Sequence, residues 1–338
     1  MKTTPRRAAL RMFAGAAIFA IAIACGGLAW YLATAVTPPR MPLQFDLKKG
    51  STLTAVARQL ADAGVLDYPV VFVLLGRVLG KAGSVKAGNY EVERPLRPLE
   101  LLRKITEGDY TQVAIVFPEG WTFRQMRRLL DEHPALRHET TGLADGAILG
   151  RIGSDATAAE GWFFPDTYYV SSGGSDLAVL RRAHELMRAR LAAQWERRTD
   201  GLPLATPYDA LKLASIVEKE TGQTGERPMI AAVFINRLRL GMKLQTDPTV
   251  IYGLGERFDG NLRKQHLLDD NDFNTYTRSG LPPTPIAMPG LGSIAAVLNP
   301  AATDALYFVA RGDGTSHFSR TLAEHERAVT RYQRSGRR

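Results

Sequence analysis

The sequence predicts an α+β protein with one membrane-spanning segment, and three observations support that prediction. The chain has 338 residues, of which 45% are hydrophobic and 23% charged, as expected for a folded protein with a sizeable core. Segments with a helical spacing of apolar residues are mixed with short β-branched segments, without the regular alternation that a parallel sheet requires. An uncharged run near the N-terminus is long enough to cross a bilayer.

The uncharged run predicts a transmembrane helix over residues 12–36. Four basic residues precede it, so the positive-inside rule places residues 1–11 in the cytoplasm and the chain beyond the 37–44 linker outside. A cleaved signal peptide is the alternative, but the run exceeds the apolar core of a signal peptide, which has about 7–15 residues. The single cysteine, Cys25, lies within the run, so no disulfide can form within one chain.

Residues 45–108 are predicted to form a small module. Apolar spacing predicts helices beginning at Leu53, over 68–79 and over 99–106, with a strand near Tyr90. The module has no cluster of acids, histidines or hydroxyl nucleophiles, which indicates a binding or spacer unit.

Residues 109–338 are predicted to form the larger domain. The expected elements are a strand over 112–117, a helix from the capping box at Thr122 to about 132, a loop over 133–159, helices over 175–198 and 226–240, and a final pair of strands followed by a helix opened at Thr321.

The central helix of this domain carries the main catalytic candidate, Glu218. The helix is predicted to begin at the N-cap Thr206 and to end at Gly222. Glu218 shares a stripe with Leu211 and Ala214, so it is expected to lie beside apolar and small side chains, which favour the protonated carboxyl of a general acid. Glu220 points nearly the opposite way, so the two acids are not expected to act as a pair.

Other segments leave two interpretations open. The aromatic segment 160–168 is either a core strand with a turn or a wall of a sugar site. In segment 244–249, Asp247 is either a helix cap or part of a ligand wall. The proline-stiffened loop over 273–286 is of the kind that lines a cleft.

Several function classes are excluded or disfavoured by pattern. Metalloprotease, Cys-x-x-Cys, phosphate-loop, Gly-x-Ser-x-Gly and Ser-x-x-Lys motifs do not occur, and the six histidines lack metal-ligand spacing. The net charge of +9 arises largely from basic residues near the two ends. No basic stripe is interleaved with aromatics, so nucleic acid is a weak candidate partner. Acid catalysis, or binding without catalysis, remains.

Six segments of the larger domain together carry a resemblance to a known family: 216–221 (IVEKET), 233–238 (VFINRL), 244–252 (LQTDPTVIY), 274–276 (NTY), 280–283 (GLPP) and 306–309 (LYFV). With these segments the chain resembles the YceG-like family of endolytic murein transglycosylases. The resemblance is collinear and covers most of the chain after the uncharged run.

This resemblance implies a fold and an activity. Residues 45–108 are similar to the LysM-like domain of the family, and residues 109–338 to its catalytic domain. The implied reaction cleaves the β-1,4 bond between N-acetylmuramic acid and N-acetylglucosamine within peptidoglycan strands. It leaves 1,6-anhydromuramic ends and needs no cofactor or metal.

The resemblance also implies residue roles and a location. Glu218 matches the catalytic glutamate of the family. Residues expected to bind substrate are Gln245, Asp247, Tyr252, Asn274 and Tyr276, and Glu160 and Glu220 either orient Glu218 or bind substrate. The protein is expected in the bacterial cytoplasmic membrane with its catalytic domain outside, ending nascent strands beside cell-wall synthases.

Two rival functions stay open. One is a hydrolytic muramidase, with Glu218 as acid and Asp247 or Glu160 as the second carboxylate. The other is a membrane-tethered scaffold that binds peptidoglycan through the module at 45–108 without cleaving it.

Overall fold

The computed structural model describes residues 5–36, 43–48, 50–92, 94–108, 112–171 and 173–334. The chain forms two compact units, one comprising residues 1–113 with 171–173 and the other residues 114–170 with 174–338. Helices and short two-stranded sheets make up both units, so the predicted α+β class is confirmed.

The first helix, α1, spans Pro5–Ala33 and includes most of the predicted membrane span. Within the described part of the chain, no helix meets the combined length and hydropathy expected of a membrane-crossing segment.

The remainder of the first unit is a strand–helix–helix–strand motif followed by a short helix. Its elements are β1 (Leu43–Leu47), α2 (Leu53–Asp62), α3 (Pro69–Val78), β2 (Gly88–Val92), α4 (Pro98–Arg103) and a π-helical turn (Lys104–Gly108). β1 and β2 pair antiparallel, and the rings of Phe45 and Tyr90 stack at their centre, 5.6 Å apart. Thr52 caps α2 by accepting from the backbone N–H of Ala55. The predicted helices of this segment are therefore present.

The second unit contains the other elements. They are β3 (Gln112–Val116), α5 (Phe123–Glu132), β4 (Leu136–Arg137), α6 (Asp145–Ile152), β5 (Thr167–Ser171), β6 (Gly174–Ser175), α7 (Asp176–Glu196), α8 (Pro207–Glu220), α9 (Arg227–Arg239), α10 (Asp247–Leu254), α11 (Lys264–Leu268), α12 (Leu291–Leu298), β7 (Tyr307–Ala310), β8 (Ser316–Ser319) and α13 (Leu322–Val329). β3 pairs with β5, β4 runs parallel to β6, and β7 runs antiparallel to β8.

Helix α8 lies at the centre of this unit, packed against α7, α9, α10 and α12. Thr206 is the N-cap, as predicted, and it forms a capping box in which its hydroxyl accepts from the Asp209 N–H. Leu211, Leu213 and Val217 are completely buried in the core. This packing holds the C-terminal end of α8, which carries both candidate acids, in a fixed orientation.

Two sequence interpretations are corrected or settled here. The predicted loop over 133–159 contains the helix α6, whose Ile148 and Leu149 are buried, so that prediction is wrong in part. The segment is rich in small residues and glycines, so the helical spacing of Ile148, Leu149 and Ile152 was not recognised. The aromatic segment is core, because Phe163 is fully buried and stacks on Phe123.

Candidate active site

Glu218 lies in a polar network that joins three helices. Its Oε1 accepts from Arg227 Nη2 at 2.9 Å, and its Oε2 accepts from the Gly290 N–H at 2.9 Å and from Ser293 Oγ at 2.8 Å. Only 5% of the Glu218 side chain is exposed. The carboxylate therefore ties the end of α8 to the starts of α9 and α12.

The apolar surroundings predicted for Glu218 are wrong. The helical wheel places Leu211 and Ala214 on its stripe, but its carboxylate contacts donors that come from elsewhere in the sequence. Arg227 also lies 3.4 Å from Glu119, whose side chain is about half exposed. Glu218 is thus held in an ion pair, and it is not among the residues that line either of the clefts described below.

Glu220 lines an open cleft of about 580 Å³, here named the Glu220 cleft. Its walls come from α8, α9, α10, the 271–276 loop, β7 and α13. They combine acidic, amide and aromatic side chains: Glu220, Arg237, Leu244, Gln245, Asp247, Tyr276, Tyr307, Phe308, Val309, Ala310, Leu322, His325, Val329 and Gln333.

The Glu220 carboxyl is positioned by one hydroxyl. Thr246 Oγ1 donates a hydrogen bond to Glu220 Oε1. Burial raises the pKa of the Glu220 carboxyl above its ordinary value, and the negative charge of Asp247 raises it further. The hydrogen bond from Thr246 and the positive charge of Arg237 lower this pKa, but the net direction is upward. A carboxyl with these surroundings retains its proton to higher pH than an exposed glutamate.

The guanidinium of Arg237 is fixed by backbone carbonyls beside the cleft. Its Nε donates to Leu306 O and its Nη1 to Leu244 O, each at 2.7 Å. The ring of Tyr307 lies under the guanidinium, 5.2 Å from its central carbon. Arg237 therefore joins α9 to two walls of the cleft and adds a positive charge near Glu220.

The segment before α10 brings two more predicted residues into the same cleft. Asp247 Oδ1 accepts from Tyr276 Oη at 2.6 Å. Gln245 has a φ of 50°, which among the described residues is the one positive φ outside glycine. Its N–H donates to Thr275 O at 3.1 Å, which holds this unusual backbone in place. Such conformations cluster at functional sites.

The capping interpretation of Asp247 is wrong. The N-cap of α10 is Thr246, and Asp247 is the first residue of the helix. Thr246 makes no side-chain cap, because its hydroxyl donates to Glu220.

Asn274 is a support of the loop. Its side chain is completely buried, and its Nδ2 donates to the carbonyls of His266, Leu267 and Asp269. Its Oδ1 accepts from the Tyr276 N–H at 2.9 Å. Asn274 therefore shapes the loop that presents Tyr276, while its own amide lies outside the cleft lining.

Glu160 and Tyr252 lie in a different cleft, of about 610 Å³, here named the Glu160 cleft. Glu160 is 8% exposed. It accepts from the Phe123 N–H at 3.0 Å and from Tyr252 Oη at 3.1 Å. Burial raises the pKa of Glu160 to about 7. The predicted substrate residues therefore divide between two clefts.

Four residues that sequence reasoning did not assign complete these arrangements. Thr246, Arg237 and Tyr307 surround Glu220, and Arg227 holds Glu218. All except Arg227 lie inside or next to the segments that carry the family resemblance. The position of Thr246, a polar residue between the buried Leu244 and the start of α10, was the one local feature that could have indicated its role.

A partly buried carboxyl with a raised pKa, facing an open cleft with amide and aromatic walls, defines the class of site. It is typical of enzymes that use general acid catalysis. Comparison with known proteins agrees with this class. The YceG-like family model matches residues 45–331, so the chain belongs to the YceG-like family. The predicted membership is thereby confirmed.

Named relatives and a solved structure extend this finding. The chain is 28% identical over 312 residues to a Bacillus subtilis protein named endolytic murein transglycosylase, covering 86% of this chain and 84% of that protein. A Streptococcus pneumoniae protein of the same name is 25% identical, and the match spans 86% of this chain but 58% of that longer protein. The crystal structure of a yceG-like protein from Listeria monocytogenes matches with a TM-score of 0.51 and 27% identity, over 85% of this chain and 99% of that one.

Proposed function

We propose that this protein is an endolytic peptidoglycan transglycosylase whose general acid is Glu220. The observation that carries the proposal is the Glu220 cleft, in which a partly buried carboxyl faces an amide, a second acid and aromatic rings. Family membership supports the same function, as do the names of the Bacillus and Streptococcus relatives.

The surroundings favour Glu220 over the sequence-based candidate Glu218. A general acid must hold a proton near working pH and lie within reach of the leaving oxygen. The Glu220 carboxyl has one hydrogen-bond donor in Thr246 and lines the cleft. The Glu218 carboxylate is occupied by three donors, including an arginine. The same network holds the end of α8 in place, and Glu218, which matches the catalytic glutamate of the family, is the second candidate for the acid.

The proposed reaction uses one carboxyl twice. Protonated Glu220 donates its proton to the glycosidic oxygen, and the bond from that oxygen to C1 of muramic acid breaks with oxocarbenium character. The resulting carboxylate accepts the proton of the C6 hydroxyl as O6 attacks C1. The products are a free 4-hydroxyl on N-acetylglucosamine and a 1,6-anhydromuramic end. No water is consumed.

The other cleft residues bind and orient the sugar. Gln245 offers an amide, Asp247 a carboxylate held by Tyr276, and Tyr307 an aromatic ring. Asn274 keeps Tyr276 in place, and Arg237 limits the rise in the Glu220 pKa.

A hydrolytic muramidase is the second candidate, because Asp247 lines the same cleft as Glu220. Two carboxylates flanking the bond would allow one to activate water. Mass spectrometry of digested strands separates the two functions. The transglycosylase predicts ends lighter by one water than the hydrolytic product.

We extend the proposal to the location. Residues 12–36 would anchor the chain in the cytoplasmic membrane, with residues 1–11 inside. The strand–helix–helix–strand unit after the anchor would bind glycan as a LysM-like module. The enzyme would then end nascent strands beside cell-wall synthases. A periplasmic reporter fused after Arg338 should be active, and an inactive reporter with a full-length fusion would contradict this topology.

The decisive experiment compares Glu220→Gln with Glu218→Gln, each purified without the first 41 residues. Glu220→Gln should lower the rate of fragment release by about 10²-fold to 10⁴-fold with an unchanged melting temperature. Glu218→Gln should lower the melting temperature and retain measurable turnover per folded molecule.

Parent-like fragment release by Glu220→Gln would overturn the assignment of the acid. If that result came with an inactive but folded Glu218→Gln, Glu218 would be the acid. If neither the parent nor either variant released fragments while the parent bound glycan, the scaffold function would replace the enzyme.

A further inference from the structure

Exposed apolar side chains are concentrated on two helices of the first unit. Ten of the fifteen large hydrophobic side chains that the described part of the chain leaves exposed lie in α1 or in segment 68–79. On α3, Val70, Leu74 and Val78 are 79%, 59% and 77% exposed. Successive members are four residues apart, so they form one stripe along the helix, here named the α3 stripe. Contiguous exposed apolar surface of this kind marks an interaction site.

The opposite face of α3 fixes the direction of the stripe. Phe72 is completely buried, and Gly76 lies so close to α2 that a Cβ at this position would be 2.2 Å from Leu53 Cδ2. Leu74 is two residues from both Phe72 and Gly76, which places it about 200° away around the helix. A rotation that buried the stripe would expose Phe72 and press a larger side chain than Gly76 against α2. The stripe is therefore an outward face of this unit.

The α3 stripe begins beside the C-terminal end of α1. The ring of Tyr68, the residue before α3, lies 6.3 Å from that of Trp30 and 6.2 Å from that of Tyr31, edge-on in both pairs. Trp and Tyr rings are enriched where the hydrocarbon of a membrane meets water. The three rings connect the end of the proposed anchor to the start of α3. With α1 as the anchor, α3 begins at the level of the lipid headgroups.

The charges near the stripe favour an anionic surface. Between Asp67 and Glu91 the chain has three basic residues and no acidic one. Arg77 is exposed in the last turn of α3. Lys81 lies 3.8 Å from Glu107, but both side chains are about half exposed, and such pairs are weak. Apolar side chains flanked by cations are typical of a helix that lies in the surface of a membrane containing anionic lipids.

The size of the stripe argues against a second protein as its occupant. α3 has ten residues, so one face of it covers about 15 Å by 10 Å. A stable protein–protein interface buries about 800 Å² on each partner. A lipid surface has no such minimum, because each inserted apolar side chain adds to the binding and the proposed anchor already holds the unit close to the lipid.

We propose that the α3 stripe inserts into the outer surface of the cytoplasmic membrane, at the boundary between the acyl chains and anionic lipid headgroups. This inference rests on the location proposed above and adds a second membrane contact to the anchor. Val70, Leu74 and Val78 enter the apolar part of the boundary, while Arg77 and Lys81 contact lipid phosphates. The two contacts together set which side of the unit faces the lipid.

The test measures the depth of three labels on the full-length chain in lipid nanodiscs. An environment-sensitive fluorophore is attached to Cys25, the only cysteine, or to Leu74→Cys or Thr54→Cys in a Cys25→Ser background. Thr54 is an exposed residue of α2 and provides the matched control. Lipids with a nitroxide on the acyl chain should quench the label at position 74 at least about 2-fold more than the label at position 54. Iodide in the water should do the reverse.

A second comparison tests the charge of the lipid. Nanodiscs of phosphatidylcholine are compared with nanodiscs of an equimolar mixture of phosphatidylcholine and phosphatidylglycerol. The mixture should increase nitroxide quenching at position 74, and Arg77→Gln/Lys81→Gln should abolish that increase. Arg58→Gln, which changes an exposed arginine of α2, should retain it. An increase that survives the loss of Arg77 and Lys81 would overturn the proposed headgroup contacts.

The label on Cys25 separates this inference from the proposed location. Nitroxide quenching of the Cys25 label without quenching at position 74 would overturn the inference and leave the anchor in place. Quenching at position 74 alone would support the α3 stripe and refute the anchor. Equal access of iodide to positions 74 and 54 would overturn the inference. Protection of position 74 from both quenchers would also overturn it, because a protein surface would then cover the stripe.

Discussion

Glu218 and Glu220 lie two residues apart on α8, yet their surroundings are opposite. Glu218 is an acceptor for an arginine, a hydroxyl and a backbone N–H, and it links three helices. Glu220 accepts one hydrogen bond from a threonine and faces an open cleft. The comparison teaches that the identity of an acid on a helix is weak evidence for its role. The proposed roles, stability for Glu218 and chemistry for Glu220, rest on this difference in hydrogen-bond donors.

The largest expected effect tests whether the Glu218 network stabilises the fold. Arg227→Met removes the partner of Glu218 and leaves its buried charge without an ion pair. The free energy of unfolding should fall by about 3–5 kcal/mol, measured by urea denaturation. Adding Glu218→Gln should recover part of this loss. If Arg227→Met alone left stability unchanged, the Glu218 network would have no structural role.

The next effect concerns the buried acid of the other cleft. The pKa of Glu160 is raised from its ordinary 4.5 to about 7, so below pH 4.5 it is protonated in both the folded and unfolded states. As pH rises from 4.5 to 7, the unfolded chain loses this proton first, and the folded state loses up to about 3 kcal/mol of stability. Glu160→Gln should remove that pH-dependent loss.

The measurement is urea denaturation of both proteins between pH 4 and pH 8. The difference between the variant and the parent should shift in favour of the variant as pH rises. Asp145, Tyr208 and Tyr252 are titratable groups that interact with Glu160, and each is present in both proteins. A difference that is constant with pH would show that Glu160 titrates like an exposed glutamate.

The smallest expected effect tests the proposed role of Glu220 as the acid. Thr246→Val removes the hydrogen bond that lowers the pKa of Glu220, so this pKa should rise. The pH at which kcat begins to fall should therefore move upward, and kcat should decrease about 10-fold because the carboxyl loses its positioning contact. Steady-state kinetics from pH 5 to 9 measures both changes.

Thr249→Val is the control for this variant. Thr249 lies in the first turn of the helix that Thr246 precedes and is likewise buried, and its hydroxyl contacts Thr246 O and Thr275 Oγ1 but not Glu220. It should leave the pH profile in place. A profile that Thr246→Val does not move would exclude Glu220 as the titrating acid.

Local signals predicted much of the fold. The capping boxes at Thr122 and Thr321 and the N-cap at Thr206 each begin a helix as expected. The strand at the start of the larger domain is present as well, with Ile115 buried and Val116 half exposed. These features depend on side chains within a few residues of each other, so the sequence contains the information directly.

The site was harder to predict because its contacts are distant in sequence. Glu218 meets Gly290 and Ser293, which are more than seventy residues away. A helical wheel describes only the neighbours of a residue on its own helix. For the same reason, the sequence did not show that Glu160 and Glu220, both predicted near the substrate, lie in two different clefts.

The start of α10 has a consequence for engineering. A threonine at an N-cap ordinarily satisfies an N–H of the first turn, worth about 1 kcal/mol, but the hydroxyl of Thr246 is diverted to Glu220. Laboratory evolution for thermal stability would favour replacements at this position whose side chain caps the N-terminus of α10. Each such replacement would remove the hydrogen bond that positions Glu220, so thermal stability would increase while turnover would decrease.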